Sequence, residues 1–121
     1  MNDLNKILIT GTVCQDVELR FTPTGAKTAN LRVAIHRRYK NKAQETKEET
    51  EFITAVVWEN LAENCVKYLK KGSRVLVEGR LQTRKYIDKN QVGQTVVEII
   101  TEGVEFLDKL EKKEEEKPLE E

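Results

Sequence analysis

Residues 51–81, EFITAVVWENLAENCVKYLKKGSRVLVEGRL, hold the clearest helical pattern of the chain, set between two strand patterns. The apolar residues that recur at helical spacing are Leu61, Cys65 and Leu69. Asn60 precedes them and is the predicted N-cap. Gly72 follows two lysines and is the predicted helix stop, because glycine ends helices and cations suit the negative end of the helix dipole.

The segments outside this helix favour strands, because they are rich in β-branched residues and alternate polar with apolar positions. The predicted strands are 4–13, 28–39, 51–58, 73–81 with a continuation to 87, and 94–107. Three strands, one helix and two further strands suit an all-β protein, a five-stranded OB-fold Greek-key barrel with one α-helix between strands 3 and 4. A three-layer α/β fold would need more helices.

The connections carry turn and loop signals. Pro23 and Gly25 mark a turn, and DKNQVGQ predicts a second turn with Asn90 and Gly93 near its tip. Residues 40–50, KNKAQETKEET, are almost entirely polar, which predicts an exposed loop. Gly11, inside the first strand, indicates a bulge or a sharp bend.

Charge divides the chain into two parts. Residues 108–121, the tail, carry seven acids and four lysines, a net charge of −3. Residues 1–107, the body, carry 17 bases and 14 acids, a net charge of +3, so the whole chain has a net charge of zero. We therefore expect one folded domain over 1–107 and a flexible, disordered acidic tail over 108–121. The mildly basic body is a weak indication of a polyanionic partner.

No apolar run approaches the length that crosses a bilayer, and the N-terminus lacks the pattern of a secretion signal. A cytoplasmic location is the resulting expectation. In that compartment Cys14 and Cys65 are expected to be free thiols.

An enzymatic site has little support in the sequence. The one histidine, His36, stands at an expected outward strand position, and neither a CxxC nor a phosphate-binding glycine loop occurs. We therefore predict no catalytic residues, no metal and no cofactor.

Aromatic and basic residues occur together at several points. Tyr39 lies in RRYK and Tyr86 in TRKY, and both are expected to be exposed. An exposed ring can stack on any unpaired nucleobase, while neighbouring Lys and Arg hold phosphates. Tyr68 and Phe106 are expected in the core or at an interface, and Phe21 is ambiguous.

The third strand leaves two alternatives open. Phe52 and Trp58 share one face, and Ile53 and Val57 share the other, because strand side chains alternate. Burial of Ile53 and Val57 would expose the two rings, but periodicity also allows the opposite choice.

Seven segments, taken in order, resemble the bacterial-type single-stranded DNA-binding protein family: NKILITG, DVELRFTPTG, ANLRVAIHRRYKN, TEF, LAENCVKYLKKGS, VEGRLQTRKY and VEFL. The resemblance covers nearly all of 4–107. It implies an OB barrel, a homotetramer, and sequence-nonspecific coating of single-stranded DNA in replication, recombination and repair, with a nucleoid-associated location. No reaction is implied.

The resemblance also implies site residues. Base stacking falls on Tyr39, Phe52, Trp58 and Tyr86. Phosphate contacts fall on Lys6, Arg20, Arg38, Lys70, Lys71, Arg84 and Lys85. Thr54 and Asn60 stand where relatives are often basic, which puts the phosphate path near the third strand in doubt.

The end of the chain departs from the family pattern. Relatives usually finish in an acidic tip with a terminal Pro-Phe that docks replication and repair enzymes, whereas this sequence ends KPLEE. Either the chain is truncated or this recruiting function is lost or altered, so such protein partners are not assumed.

Two other functions of an OB barrel fit the pattern less well. One is a protein-interaction module, which would bind a partner without base stacking. The other is an RNA-binding domain, which competition between poly-U and poly-dT would distinguish.

Overall fold

A computed structural model describes residues 1–108. In chain order its elements are β1 (Ile7–Val13), β2 (Arg20–Phe21), β3 (Lys27–Lys40), β4 (Thr46–Trp58), α1 (Glu59–Tyr68), β5 (Arg74–Ile87) and β6 (Gly93–Phe106). The tail predicted over 108–121 lies, except for Asp108, outside the described residues.

Five strands close into a barrel. The sheet runs β1-β5-β6-β4-β3, and β1 closes it by pairing with β3 as well as with β5. β4 and β6 are parallel where they meet, and the other pairs are antiparallel. The two-residue β2 is an addition at the edge of β3. The predicted OB-fold barrel is confirmed, with its helix between the third and fourth barrel strands.

Inward-facing side chains of every barrel strand form the core, together with one face of α1. The fully buried residues that are largest by volume are Leu31, Leu69, Ile99, Val13, Val33, Val57, Val75, Val77 and Cys65. Those of them that lie in strands alternate with outward positions, as the period-2 pattern predicts. Burial of this apolar surface is the main force that holds the barrel closed.

Two glycines allow backbones to approach closely inside the barrel wall. A Cβ at Gly11 would lie 2.5 Å from the carbonyl oxygen of Ala34, and a Cβ at Gly79 would lie 2.2 Å from that of Ile100. The strand irregularity lies at Glu78/Gly79 and not at Gly11. Gly11 is therefore required by the close approach of β1 to β3, and of the bulge or sharp bend predicted from sequence, the bulge does not form.

The predicted helix is present, but both predicted ends are wrong. α1 follows β4 without a loop, so Trp58 is the N-cap and Asn60 lies within the first turn. Glu59 makes this abrupt change of direction with a φ of 51°. At the other end Leu69 is the C-cap, and Gly72, with a φ of 101°, shapes the following turn, which Ser73 N–H closes by donating to the Lys70 carbonyl.

Residues 40–50 are largely exposed, as predicted, but the predicted loop is wrong, because most of the segment is strand. β3 and β4 pair as far as Lys40 and Thr46, so only five residues make the turn. Polar strands can pair here because the hairpin projects beyond the core and its cross-strand partners include opposite charges. β5 and β6 form a second long hairpin that pairs as far as Ile87 and Gly93.

The turns of the two hairpins share one geometry. The side chain of Asn41 accepts hydrogen bonds from Ala43 N–H and Glu45 N–H, and that of Asp88 accepts from Asn90 N–H and Val92 N–H. These backbone bonds, with a further one from the Gln94 side chain, lower the pKa of Asp88. Each turn also holds a glutamine in the left-handed region, Gln44 and Gln91, both with a φ of 65°.

Cys14 and Cys65 are free thiols, as predicted. Burial raises the pKa of Cys65 to about 12, so this thiol is a packing residue and not a reactive group. Within residues 1–108 no helix is both long and apolar enough to cross a membrane.

Candidate nucleic-acid interface

The structure decides between the two faces of β4 that periodicity left open. Val57 is fully buried and Ile53 is half-buried, whereas Phe52 is 52% exposed and Trp58 is 41% exposed. Ile53 and Val57 point inward because they join the core, and alternation then directs Phe52 and Trp58 to solvent. Both rings are therefore available for contact with another molecule.

Strand register connects these rings to a larger surface, because residues directly opposite one another in a sheet share a face. Arg20 lies beside Thr28 and Thr28 lies opposite Trp58. Arg32 lies opposite Thr54, which in turn is level with Glu98 of β6. We call this surface the outer face, and it carries Arg20, Arg32, Phe52, Thr54, Trp58, Arg80, Gln82, Arg84, Tyr86 and Glu98.

Tyr86 belongs to the outer face by register. Gln82 of β5 lies opposite Glu98, and Arg84 and Tyr86 follow at even spacing on the same strand. The Tyr86 ring is 45% exposed, and the guanidinium carbon of Arg84 lies 6.0 Å from its centroid. Three predicted stacking residues, Phe52, Trp58 and Tyr86, are thus brought to one surface.

Tyr39 is not part of the outer face. It lies opposite Lys47 and is separated from the buried Leu31 and Val33 of β3 by an even number of residues. Its side chain therefore points to the side of the hairpin opposite the outer face. The ring is half-buried under Arg37, whose guanidinium carbon lies 4.6 Å from the ring centroid. A strand that touched all four predicted rings would have to pass around the hairpin.

Three of the predicted phosphate ligands are paired with carboxylates. Arg38 donates to Glu48 Oε2 from Nε at 3.3 Å and from Nη2 at 2.8 Å, and this arginine lowers the pKa of Glu48. Lys6 Nζ lies 2.5 Å from Glu78, whose hydrogen bond raises the pKa of the lysine. Arg84 Nε donates to Glu98 at 3.4 Å. Phosphates would compete with these acids.

The other predicted phosphate ligands are dispersed. Arg20 is exposed beside the row of Trp58, whereas Lys85 projects from the side of β5 opposite Arg84. Lys70 and Lys71 lie in the turn after α1, and Lys71 N–H donates to Asp16. The ten-residue helix, about 15 Å long, separates these two lysines from Trp58.

Two polar residues of the outer face were missed by the sequence prediction. Arg32 donates from Nη1 to Thr54 Oγ1 at 3.1 Å, and its guanidinium carbon lies 5.5 Å from the centroid of Phe52. Glu98 is 7% exposed although it faces outward. Alternation in ANLRVAI marks Arg32 as an outward residue, but its contact with β4 depends on register, for which the sequence holds no local signal.

Known proteins resemble this chain in sequence and in fold. Residues 4–107 match the model of the "Single-strand binding protein family". The "Single-stranded DNA-binding protein" of Halalkalibacterium halodurans is 42% identical over 105 residues, which are 87% of this chain and 61% of that protein. "Single-stranded DNA-binding protein A" of Bacillus subtilis is 44% identical over 107 residues, 87% of this chain and 60% of that protein. The chain thus spans about three fifths of the length of these relatives.

A solved structure has the same fold. It carries the description "Plasmodium falciparum SSB complex with ssDNA", superposes with a TM-score of 0.80 and is 32% identical in sequence. The match covers 89% of this chain and 98% of that one.

Proposed function

Because this chain belongs to the single-strand binding protein family, we propose that it binds and coats single-stranded DNA without sequence preference. The processes it serves are replication, recombination and repair. The observation that supports the proposal best is the exposure of three aromatic rings, Phe52, Trp58 and Tyr86, on one outer face that also carries several arginines. No bond is made or broken in this function.

Bases stack on Phe52, Trp58, Tyr86 and Tyr39. Each stacked base contributes roughly 1–3 kcal/mol, and the contribution hardly depends on which base it is, because every base has a π-face. Phosphates are held by Lys6, Arg20, Arg38, Lys70, Lys71, Arg84 and Lys85. Those that are paired with carboxylates exchange the carboxylate for a phosphate when the strand arrives.

The proposed assembly is a homotetramer of 1–107 domains in the cytoplasm, associated with the nucleoid. A tetramer brings several outer faces to one strand, so a strand that leaves one subunit is bound at high effective concentration by the next. The support for the assembly is membership of the family. Its test is the solution mass, with and without oligo-dT.

The decisive experiment titrates the protein with oligo-dT and follows the fluorescence of Trp58, the single tryptophan of the chain. We expect strong quenching on binding. The logarithm of affinity should fall with the logarithm of salt concentration, by about 0.7 for each phosphate neutralised. Absence of both quenching and a gel shift at low salt would contradict the proposal.

Two competitors separate this function from its alternatives. Poly-U that displaced oligo-dT at equal nucleotide concentration would identify an RNA-binding domain. Binding of neither polymer would favour a protein-interaction module, in which the exposed rings contact another chain.

A further inference from the structure

Three of the proposed stacking rings are each covered by an arginine that a second residue holds in place. Arg37 lies over Tyr39 and donates to Glu49 Oε1 at 3.1 Å. Arg84 lies over Tyr86 and donates to Glu98. On β3 and β4 the corresponding set of ring, arginine and hydrogen-bond acceptor is Phe52, Arg32 and Thr54: Arg32 lies over Phe52 and donates to Thr54.

The set around Arg32 differs from the others in charge. Arg37 and Arg84 are bound to carboxylates, whereas Arg32 donates to the neutral hydroxyl of Thr54 and makes no ion pair with any residue between 1 and 108. It is also half-buried, so its guanidinium is less free to leave the ring for solvent. The cation over Phe52 is therefore held by a neutral partner.

Register explains why Phe52 needs this neighbour. The residue directly opposite Phe52 is Ala34, whose methyl group offers little surface to hold a ring. Arg32 is the diagonal neighbour, at the distance where long side chains still make cross-strand contact. Its guanidinium carbon lies 5.5 Å from the ring centroid, and Phe52 remains 52% exposed.

We propose that Arg32 is a positioning residue for single-strand binding, which covers one side of Phe52 and presents the other side to a nucleobase. This inference rests on the proposed function. The fixed guanidinium restricts the rotamers of the ring, so less side-chain entropy is lost when a base stacks. Attraction between the cation and the ring adds to this restraint.

A positioning role and a phosphate contact have different signatures. A phosphate ligand changes the salt dependence of binding, whereas a residue that acts through Phe52 lowers affinity at every salt concentration and leaves the slope unchanged. A positioning residue also loses its effect when the ring is absent. A double-mutant cycle between positions 32 and 52 measures this coupling.

The test titrates full-length variants with oligo-dT and uses Trp58 fluorescence. Arg32→Met is expected to weaken binding about threefold to fivefold, and to have no further effect in a Phe52→Ala background. Thr54→Val and Arg32→Lys keep the charge and are expected to show part of the same loss with an unchanged salt slope. Arg80→Met is the matched control, because Arg80 lies on the same face and donates to Gln82, without a ring beneath it in the described structure.

The outcomes are distinguishable. Failure of the wild-type protein to bind oligo-dT would refute the proposed function itself. If the wild type binds, the positioning role is overturned when Arg32→Met weakens binding equally with and without the Phe52 ring. Arg80→Met, the control, is expected to behave in that way, with the same effect in the wild-type and Phe52→Ala backgrounds. A different result would identify Arg32 as a phosphate ligand and would equally overturn the positioning role. In that case Thr54→Val and Arg32→Lys would bind with wild-type affinity, and Arg32→Met would reduce the salt slope. Thermal unfolding of each variant confirms that the barrel is intact.

Discussion

Arg38 and Glu48 face each other directly across the β3–β4 hairpin, with Nη2 of the arginine 2.8 Å from Oε2 of the glutamate. The next cross-strand pair, Arg37 and Glu49, makes a second ion pair on the other side of the hairpin. The hairpin that carries the proposed phosphate ligand Arg38 therefore contains its own anionic competitors. Their removal should strengthen binding to a polyanion.

Glu48→Gln is expected to tighten oligo-dT binding several-fold at low salt, because Arg38 no longer has to leave a carboxylate. The salt slope should become steeper by up to about 0.7, the value for one additional phosphate on a single strand. Glu105→Gln is the control, since it makes the same charge change near the far end of β6. Equal effects of the two substitutions would mean that only net charge matters.

Phe52→Ala is expected to weaken oligo-dT binding by roughly 1–3 kcal/mol, the value of one stacked base. The matched control is Phe21→Ala, because Phe21 is 63% exposed but lies beside Lys27, off the outer face. Fluorescence titration compares the two. A loss at Phe21 as large as that at Phe52 would show that exposure, and not membership of the outer face, determines stacking.

Tyr39→Ala is expected to depend on the length of the strand. A short oligo-dT of about 8 nucleotides, within the ~4–16 that an OB fold binds, can follow the outer face without reaching Tyr39. A strand several times longer can pass around the hairpin, and only there should the substitution weaken binding. Equal losses at both lengths would contradict the separation of Tyr39 from the other rings.

Gly79→Ala is expected to destabilise the domain by roughly 1–3 kcal/mol, because a Cβ at 2.2 Å from the Ile100 carbonyl oxygen forces backbone atoms apart. Gly93→Ala is the control, since nothing lies within 4 Å of its Cβ. Urea unfolding at a fixed protein concentration measures both, because assembly makes stability depend on concentration. Similar free energies of unfolding for the two variants would show that the backbone around Gly79 moves to accommodate a Cβ.

Gln91→Gly and Gln44→Gly are expected to stabilise the domain by about 0.5–1 kcal/mol each. The left-handed region costs a non-glycine residue roughly 1–2 kcal/mol, and the greater entropy of glycine in the unfolded chain offsets part of the gain. Lys89→Gly, in the same turn as Gln91 but without a positive φ, should be destabilising. A loss of stability at Gln91 would contradict this account of the turn.

Local pattern was sufficient to predict the order of the five barrel strands and the helix, but not their ends. The helical spacing of Leu61, Cys65 and Leu69 and the alternation in the strands follow from the geometry of single elements, and both survive in the structure. The helix ends could not be read locally, because β4 leads straight into α1. The polar segment 46–50 becomes strand only because the opposing strand of the hairpin supplies its hydrogen-bond and charge partners.

The candidate site was predicted residue by residue but not as a surface. Resemblance selected Phe52, Trp58, Tyr86 and Tyr39 without indicating that the last lies on the other side of the hairpin. Arg32 was missed because its contact with Phe52 joins residues on two different strands. Side-chain type alone did not identify it.

By itself the sequence determined the barrel: periods of two and of 3.6 residues, with turn residues between them, are local properties that specify five strands and one helix in order. Only the tertiary structure decided which side of β4 meets solvent, and which residue lies beside which across the strands. The physical reason is that burial and register are set by contacts between distant segments, and a shift of one residue would exchange the two faces.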